Sequence, residues 1–335
     1  MQEAQFYSEL KNGNVRCELC PWYCELKPGQ TGICKVRKNE NGKLITQVYN
    51  RVAAMGTDPI EKKPLYHFYP GKNILSVGEP GCNLHCTFCQ NYNLSQSAAE
   101  EFSSFKNITS TEITGAALNT PNNIGVAYTY NEPLTFYEFV LDTAKLAQKA
   151  GLKNVMVSNG YINSEPLKKL LPFIDAFNVD LKAFSNEFYK KQTTGKLLPV
   201  LDSLKIIAKS GSHLEITNLI IPTLNDDENE FREMVKWIAS ELGNEIPLHL
   251  SRYFPQYKMQ LPPTPTHKLE TLYAIAKEHL QHVYLGNVSD QKRSSTFCPN
   301  CGELLIERNG YQTKIKNLDK KGNCKKCNSG CNIIL

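Results

Sequence analysis

The chain has 335 residues, 41% hydrophobic and 21% charged, with a formal net charge of +5, which suits one large α/β domain or two ordinary ones around a buried core. The positive excess is small and spread out, which argues against nucleic acid as a partner. No apolar run reaches the roughly 18 residues of a membrane span, and Met1-Gln2-Glu3-Ala4 does not begin a basic-then-apolar secretion signal.

Residues 1–72 read as a Cys-rich N-terminal module. Cys17, Cys20, Cys24 and Cys34 lie close together, with Pro21, Pro28, Gly29 and Gly32 supplying turns. Four thiolates fill a tetrahedral zinc site and equally suit a closed four-iron cluster, so both remain open. Asn39-Glu40-Asn41-Gly42 between Lys35-Val36-Arg37 and Lys43 to Tyr49 predicts a hairpin. The segment Asp58 to Gly71 mixes aromatic and charged residues between prolines. It reads either as a connector covering the bottom of a barrel or as a segment near a cofactor.

From 73 to 290, short β-branched runs alternate with amphipathic stretches. Strands are predicted at Ile74–Gly78, Gly125–Tyr130, Val155–Ser158, Ala176–Asp180, His213–Ile220, Leu248–Ser251 and Val283–Leu285. Helices are predicted at Leu134–Lys149, Ser164–Leu171, Pro199–Ser210, Glu228–Leu242 and Lys268–Leu280. Repeated βα units predict a parallel sheet, and their number suits a partial barrel rather than a full eight-strand one. Chemistry in such folds gathers where strands end. Cys82, Cys86 and Cys89 follow the first strand at C-x3-C-x2-C spacing, Asn131-Glu132 the second, Asn159 the third, and Asp180 and Lys182 the fourth. Three thiolates hold three irons of a four-iron cluster and leave the fourth open for a ligand. A zinc knuckle with His85 as fourth ligand is the competing reading. Arg252, Tyr253 and Lys258, beyond the sixth strand, are candidate substrate contacts.

Residues 291–335 read as a zinc-ribbon-like C-terminal module. Cys298-x2-Cys301 and Cys324-x2-Cys327 form two knuckles for zinc or an auxiliary cluster, and Cys331 is surplus. With 12 cysteines in three clusters and no secretion signal, the composition points to metals, not disulfides, and to a reducing cytoplasm.

The cysteine triad resembles the signature of radical S-adenosylmethionine (SAM) enzymes. Within them the chain resembles the branch of the pyruvate formate-lyase activating enzymes, and there the radical SAM member of the AmmeMemoRadiSam system. The likeness runs nearly end to end, on Arg16 to Pro21, Gly32 to Arg37, Asp58 to Phe68, Cys82 to Asn91, Tyr128 to Pro133, Asn178 to Lys182, Ser251 to Pro255 with Tyr257 to Met259, and Thr296 to Gly302. The resemblance implies an α/β fold, a partial (β/α)6 TIM-like radical SAM barrel with small Cys-rich metal-binding modules at both ends. It implies a [4Fe-4S] cluster on Cys82, Cys86 and Cys89, with SAM on its open iron. The backbone near Phe88 would approach the adenine, and Asp180 and Lys182 would clamp the methionyl carboxylate and ribose. Asn131-Glu132-Pro133 stands where relatives carry Gly-Gly-Glu-Pro, which meets the methionyl amino group, and Ser158-Asn159-Gly160 matches their T-N-G segment.

The implied activity is reductive cleavage of SAM to a 5′-deoxyadenosyl radical that abstracts hydrogen from an unidentified substrate. An activating enzyme for a glycyl-radical protein is one alternative. A metal-stapled RNA- or protein-binding module is another, from a different class. The implied partners are an electron donor such as flavodoxin or ferredoxin, and proteins of the AMMECR and Memo families.

Overall fold

The computed structural model describes residues 2–102 and 104–335; Met1, where the N-terminal reading begins, lies outside the described residues. The central element is an open eight-stranded sheet whose strands are neighbours in chain order. They are β1 (Ala54–Pro59), β2 (Asn73–Gly78), β3 (Asn123–Tyr128), β4 (Lys153–Ser158), β5 (Ala176–Asp180), β6 (His213–Ile220), β7 (Leu248–Arg252) and β8 (Val283–Gly286). From β2 to β8 every neighbour pair is parallel, whereas β1 is antiparallel to β2. Between the parallel strands run α1 (Ser110–Asn119), α2 (Tyr137–Lys149), α3 (Ser164–Leu170), α4 (Leu197–Ala208), α5 (Glu228–Glu241) and α6 (Thr266–Lys277). Six crossovers joining seven parallel strands form the partial (β/α)6 barrel that the alternation of runs predicts.

Two elements escape that prediction. Helix α1 buries only Ser110, Ile113, Thr114 and Ala117, too weak a stripe for apolar periodicity to find. Its local signal is a capping box, Thr109 with Glu112, in which each side chain bonds the other residue's backbone N–H. Strand β1, from the segment assigned to the N-terminal module, pairs with β2 from Ala54–Gly78 to Pro59–Asn73, so this chain segment forms the sheet's antiparallel edge.

The N-terminal hairpin forms between Arg37–Glu40 and Lys43–Thr46. Its turn residues Asn41 and Gly42 take φ of 56° and 90°, the left-handed values that an Asn-Gly turn accommodates. Arg37 is buried and donates to both oxygens of Glu138 in the first turn of α2 at 3.0–3.1 Å, and to the Gln5 carbonyl at 2.7 Å. This pair ties the Cys-rich segment to the barrel.

At the other end, Thr296–Phe297, Leu304–Asn309 and Gln312–Ile315 form a small antiparallel sheet. Buried Arg308 joins it to the barrel, donating to Thr296 Oγ1 at 2.7 Å and to the Tyr66 carbonyl at 2.6 Å. Cys331 packs with Leu305, Ile306, Leu318 and Ile333 in the core of this module.

The segment 58–71 divides between core and cavity. Ile60, Leu65 and Phe68 are buried in a core cluster beneath the sheet, while Glu61, Lys62, Pro64 and Tyr66 face a large cavity described below. His67 from this segment bonds Tyr284 Oη at 2.6 Å and packs edge-on to His282.

Burial, with the His282 charge adding, holds His67 well below the usual imidazole range. Burial, with Lys277 adding, pushes His282 down to about 4, while the nearby Glu215 carboxylate acts in the opposite sense. Both native imidazoles therefore refuse protons that the unfolded chain accepts near pH 6.5, so their stabilising contribution is complete above that pH and is lost as pH falls. For His282 the loss between pH 6.5 and 4 is on the order of 3 kcal/mol. Urea unfolding at pH 7.5 and pH 5 should show a clearly smaller drop for His282→Gln than for the parent chain. Equal drops would remove His282 as the cause.

Candidate active site

The first parallel strand ends at Gly78, and the loop behind it turns sharply at Gly81, φ 93°. A Cβ on Gly81 would lie 2.6 Å from the Cys34 carbonyl oxygen and from Val36 Cγ1, so only glycine lets this loop rest on the N-terminal module. The loop is held from the other side by a π-helical turn, Tyr189–Thr193. His85 N–H donates to the Thr193 carbonyl and Thr87 N–H to the Gln192 carbonyl, both at 2.9 Å. Wide turns of this type recur at functional sites, and the apolar pattern around Tyr189 contains no sign of one.

Cys82, Cys86 and Cys89 open on a cavity of about 240 Å³. Phe88, Asn131, Asn159, Asp180 and Lys182 also line it, so residues from four successive strand ends converge there. Asn131 Nδ2 donates to the Gly81 carbonyl at 2.5 Å, while its Oδ1 is buried without a partner. Asn159 Nδ2 donates to Asn83 Oδ1 at 2.9 Å and lies 3.7 Å from Cys82 Sγ. Lys182 Nζ lies 3.0 Å from Asp180 Oδ2 and 6.0 Å from the Phe88 ring centroid. Burial alone would lower the Lys182 pKa, but Asp180 and the Cys86 sulfur outweigh it and keep the ammonium charged.

Two residues stand differently from their sequence reading, and a contact of His85 bears on the competing zinc-knuckle reading. Glu132 is fully buried beneath the cavity and does not line it. Its carboxylate accepts from Ser158 Oγ at 2.8 Å, Asn159 N at 2.7 Å and Leu134 N at 3.1 Å, so it positions the Asn159 loop. Burial pushes the Glu132 carboxyl up to about 7 against the pull of those hydrogen bonds. Tyr253 is fully buried and donates to the Met259 carbonyl at 3.0 Å, which makes it a support of its loop. His85 Nε2 lies 3.1 Å from the Ile33 carbonyl oxygen, a contact that uses this nitrogen as a donor and turns it away from metal ligation.

Thr217, Leu219, Ser251 and Asn287 also belong to the wall and were not foreseen as site residues. Thr217 and Leu219 lie two apart on β6, as inward neighbours on a strand must, but the inward face is known only once the sheet has closed around it. Ser251, Asn287 and Gln90 also border a second, polar cavity of about 850 Å³. Glu61, Lys62, Tyr66, His249 and Arg252 are among the residues around it, and Glu61 Oε2 is buried without a partner. Lys258 lies outside both linings; its backbone N–H donates to the Thr87 carbonyl at 3.0 Å.

The donor set fits an iron–sulfur cluster with one open iron. Three thiols face one cavity beside an orphaned acceptor, Asn131 Oδ1, and a charged ammonium, Lys182. Burial pushes the Cys86 thiol up to about 12, so metal binding must supply the driving force for its deprotonation. The four C-terminal thiols, Cys298, Cys301, Cys324 and Cys327, gather with all sulfurs within 4.8 Å of one another. Among the described residues no helix is long and apolar enough to cross a membrane.

Residues 78–238 match the radical SAM superfamily. The uncharacterized protein MJ0808 of Methanocaldococcus jannaschii is 44% identical, and the match covers 100% of both chains. The pyruvate formate-lyase-activating enzyme of Clostridium pasteurianum is 25% identical over 59% of this chain and 83% of its own. The (2S)-3-sulfopropanediol dehydratase activating enzyme of Klebsiella oxytoca is 26% identical, over 36% of this chain and 38% of its own. Streptococcus suis SuiB bound to S-adenosylmethionine shares the fold, with a TM-score of 0.51 at 13% identity over 68% of this chain and 53% of SuiB. A metal-stapled binding module does not account for this set of relatives. The chain belongs to the radical SAM superfamily and is an enzyme that works with a [4Fe-4S] cluster and SAM.

Proposed function

We propose that Cys82, Cys86 and Cys89 carry the cluster and that the adjoining polar cavity holds the substrate whose C–H bond is attacked. The observation behind this reading is the junction of the two cavities along Gln90, Ser251 and Asn287. When bound, the cluster and SAM supply the one-electron cleavage that yields methionine and a 5′-deoxyadenosyl radical. The chain's own part is orientation and exclusion of water. Asn131 Oδ1, which has no partner, accepts the methionyl ammonium where relatives use a glycine backbone. Lys182 meets the methionyl carboxylate, Asp180 the ribose, and the backbone near Phe88 the adenine. Glu132 holds Asn159 against the Cys82 side of the loop.

A cavity of about 850 Å³ bordered by Glu61, Lys62, His249 and Arg252 suits a polar molecule or short peptide. The second reading, activation of a glycyl-radical protein, is favoured by the activating enzymes among the relatives. Beyond this we assign the chain to the AmmeMemoRadiSam system of the cytoplasm, with AMMECR-like and Memo-like proteins sharing its pathway and a flavodoxin or ferredoxin as electron donor. Its parts are a Cys-rich N-terminal module that gives way to the barrel's sheet at β1 (Ala54–Pro59), the barrel through residue 290 and a zinc ribbon at 291–335.

Anaerobic assays with iron, sulfide, dithionite and SAM test the reading. The parent chain should form 5′-deoxyadenosine, and Asn131→Leu should raise the KM for SAM more than about tenfold. Deuterium should enter 5′-deoxyadenosine from a labelled small polar substrate or peptide. Transfer only from the backbone glycine of a folded partner protein would favour the second reading, and absence of SAM cleavage would defeat both.

A further inference from the structure

We propose that Cys17, Cys20, Cys24 and Cys34 hold a second [4Fe-4S] cluster that passes an electron to the one on Cys82, Cys86 and Cys89. The two terminal thiol sets differ in geometry within one molecule. At the C-terminus, Cys298 and Cys327 sulfurs lie 3.5 Å apart and Cys301 and Cys324 sulfurs 3.7 Å apart. A tetrahedron with arms of about 2.3 Å has edges of roughly 3.8 Å, so this set is laid out for a single zinc ion. The N-terminal four instead surround one cavity. Among the described residues, no three of these sulfurs gather within the 4.8 Å that encloses the C-terminal set, and the same holds for the active-site triad. A cubane bonds each thiolate to a different iron and so spreads its ligands wider than one ion does. With all four irons ligated, such a cluster has no open position, which suits electron transfer.

The surroundings fit the same group. Leu19, Leu26 and Ile33 line the cavity with the thiols, an apolar wall that keeps out water. Gly32 leaves the space open; a Cβ there would sit 3.7 Å from Cys24 Sγ and 3.8 Å from Cys34 Sγ. Arg37 borders the cavity, and its Nε–H is buried without a partner although its terminal nitrogens are all engaged. An orphaned cationic donor suits the negative sulfur face of a four-thiolate cluster.

The loops that carry the two thiol sets are also in contact. Trp22, between Cys20 and Cys24, donates from Nε1 to the Asn83 carbonyl at 2.7 Å. Asn83 borders the N-terminal cavity and follows Cys82 directly in the chain. The Cys34 carbonyl packs on Gly81, the residue before Cys82. A low-potential one-electron protein donor reduces the N-terminal cluster by one electron. That electron then passes to the triad's cluster, the first cluster returns to its oxidised state, and no bond or proton moves.

The metal assignment stands apart from the proposed roles at the triad; the relay rests on them. Both are tested on full-length chains purified without oxygen. The triple variant Cys82→Ala, Cys86→Ala, Cys89→Ala should keep about four irons, about four acid-labile sulfides and about one zinc, with a reduced-cluster electron paramagnetic resonance signal. The parent chain should carry about eight irons. About two zinc ions and no iron in the triple variant would overturn the N-terminal cluster. Equal iron in both chains would instead defeat the triad reading. For the relay, the parent chain is fully reduced, freed of reductant and mixed with excess SAM. Because each cleavage consumes one electron, about two methionines per chain are expected. About one methionine, with the N-terminal signal persisting, would overturn the relay.

Discussion

Chains carrying Cys86→Ala should form 5′-deoxyadenosine more than about 100-fold more slowly than the parent chain, since even indirect changes around a metal site cost 10–100-fold in affinity or activity. The reason is local. Cys86 is buried on a loop held by the carbonyls of Gln192 and Thr193. Loss of its thiolate leaves two protein ligands for a cluster that needs three. His85 Nε2 does not take its place, being committed to the Ile33 carbonyl. The fold should survive, since the alanine removes one small side chain and the loop's backbone contacts remain. Anaerobic product analysis beside urea unfolding separates the two effects. A Cys86→Ala chain as active as the parent would mean that the triad does not carry the chemistry.

Arg37→Ala should destabilise the chain by about 3–5 kcal/mol, the usual consequence of leaving a buried charge without its partner. Both side chains of the Arg37–Glu138 pair are 2% exposed, so water cannot replace the guanidinium around Glu138. The double variant Arg37→Met, Glu138→Leu should recover most of that loss, because it removes both charges and keeps the volume. Denaturant midpoints of the three chains decide the matter. If Arg37→Ala alone lowers stability by less than about 1 kcal/mol, the size of a surface pair, the pair does not hold the N-terminal segment to α2.

The same pair shows what could not be read beforehand. Arg37 is 101 residues from Glu138, and nothing local to either residue announces the other. Glu132 is similar: its position in the motif suggests a cofactor contact, but its carboxylate faces inward, accepting from Ser158 and Asn159 of the next strand end and from Leu134 N. Tyr253, next to the exposed-looking Arg252, is fully buried because its hydroxyl reaches the Met259 carbonyl and closes the loop on itself. Strand β1 lacks a clear alternation, with exposed or half-exposed residues at five of six positions. It becomes a strand because the edge of β2 offers it hydrogen bonds.

What the sequence by itself determined is the chemistry and its order along the chain. Thiol spacing, the alternation of strand and helix, and the polar residues at strand ends are local properties, set by backbone period and ligand geometry over a few residues. The tertiary structure decided which of those residues meet. It brings Asn131, Asn159, Asp180 and Lys182 around the triad, turns Glu132 inward, and sets the polar cavity beside them. It also separates the terminal cysteine sets, which look alike as strings, into one gathered within 4.8 Å and one spread around a cavity. Those distances depend on packing between segments far apart in the chain, a non-local balance that no short pattern encodes.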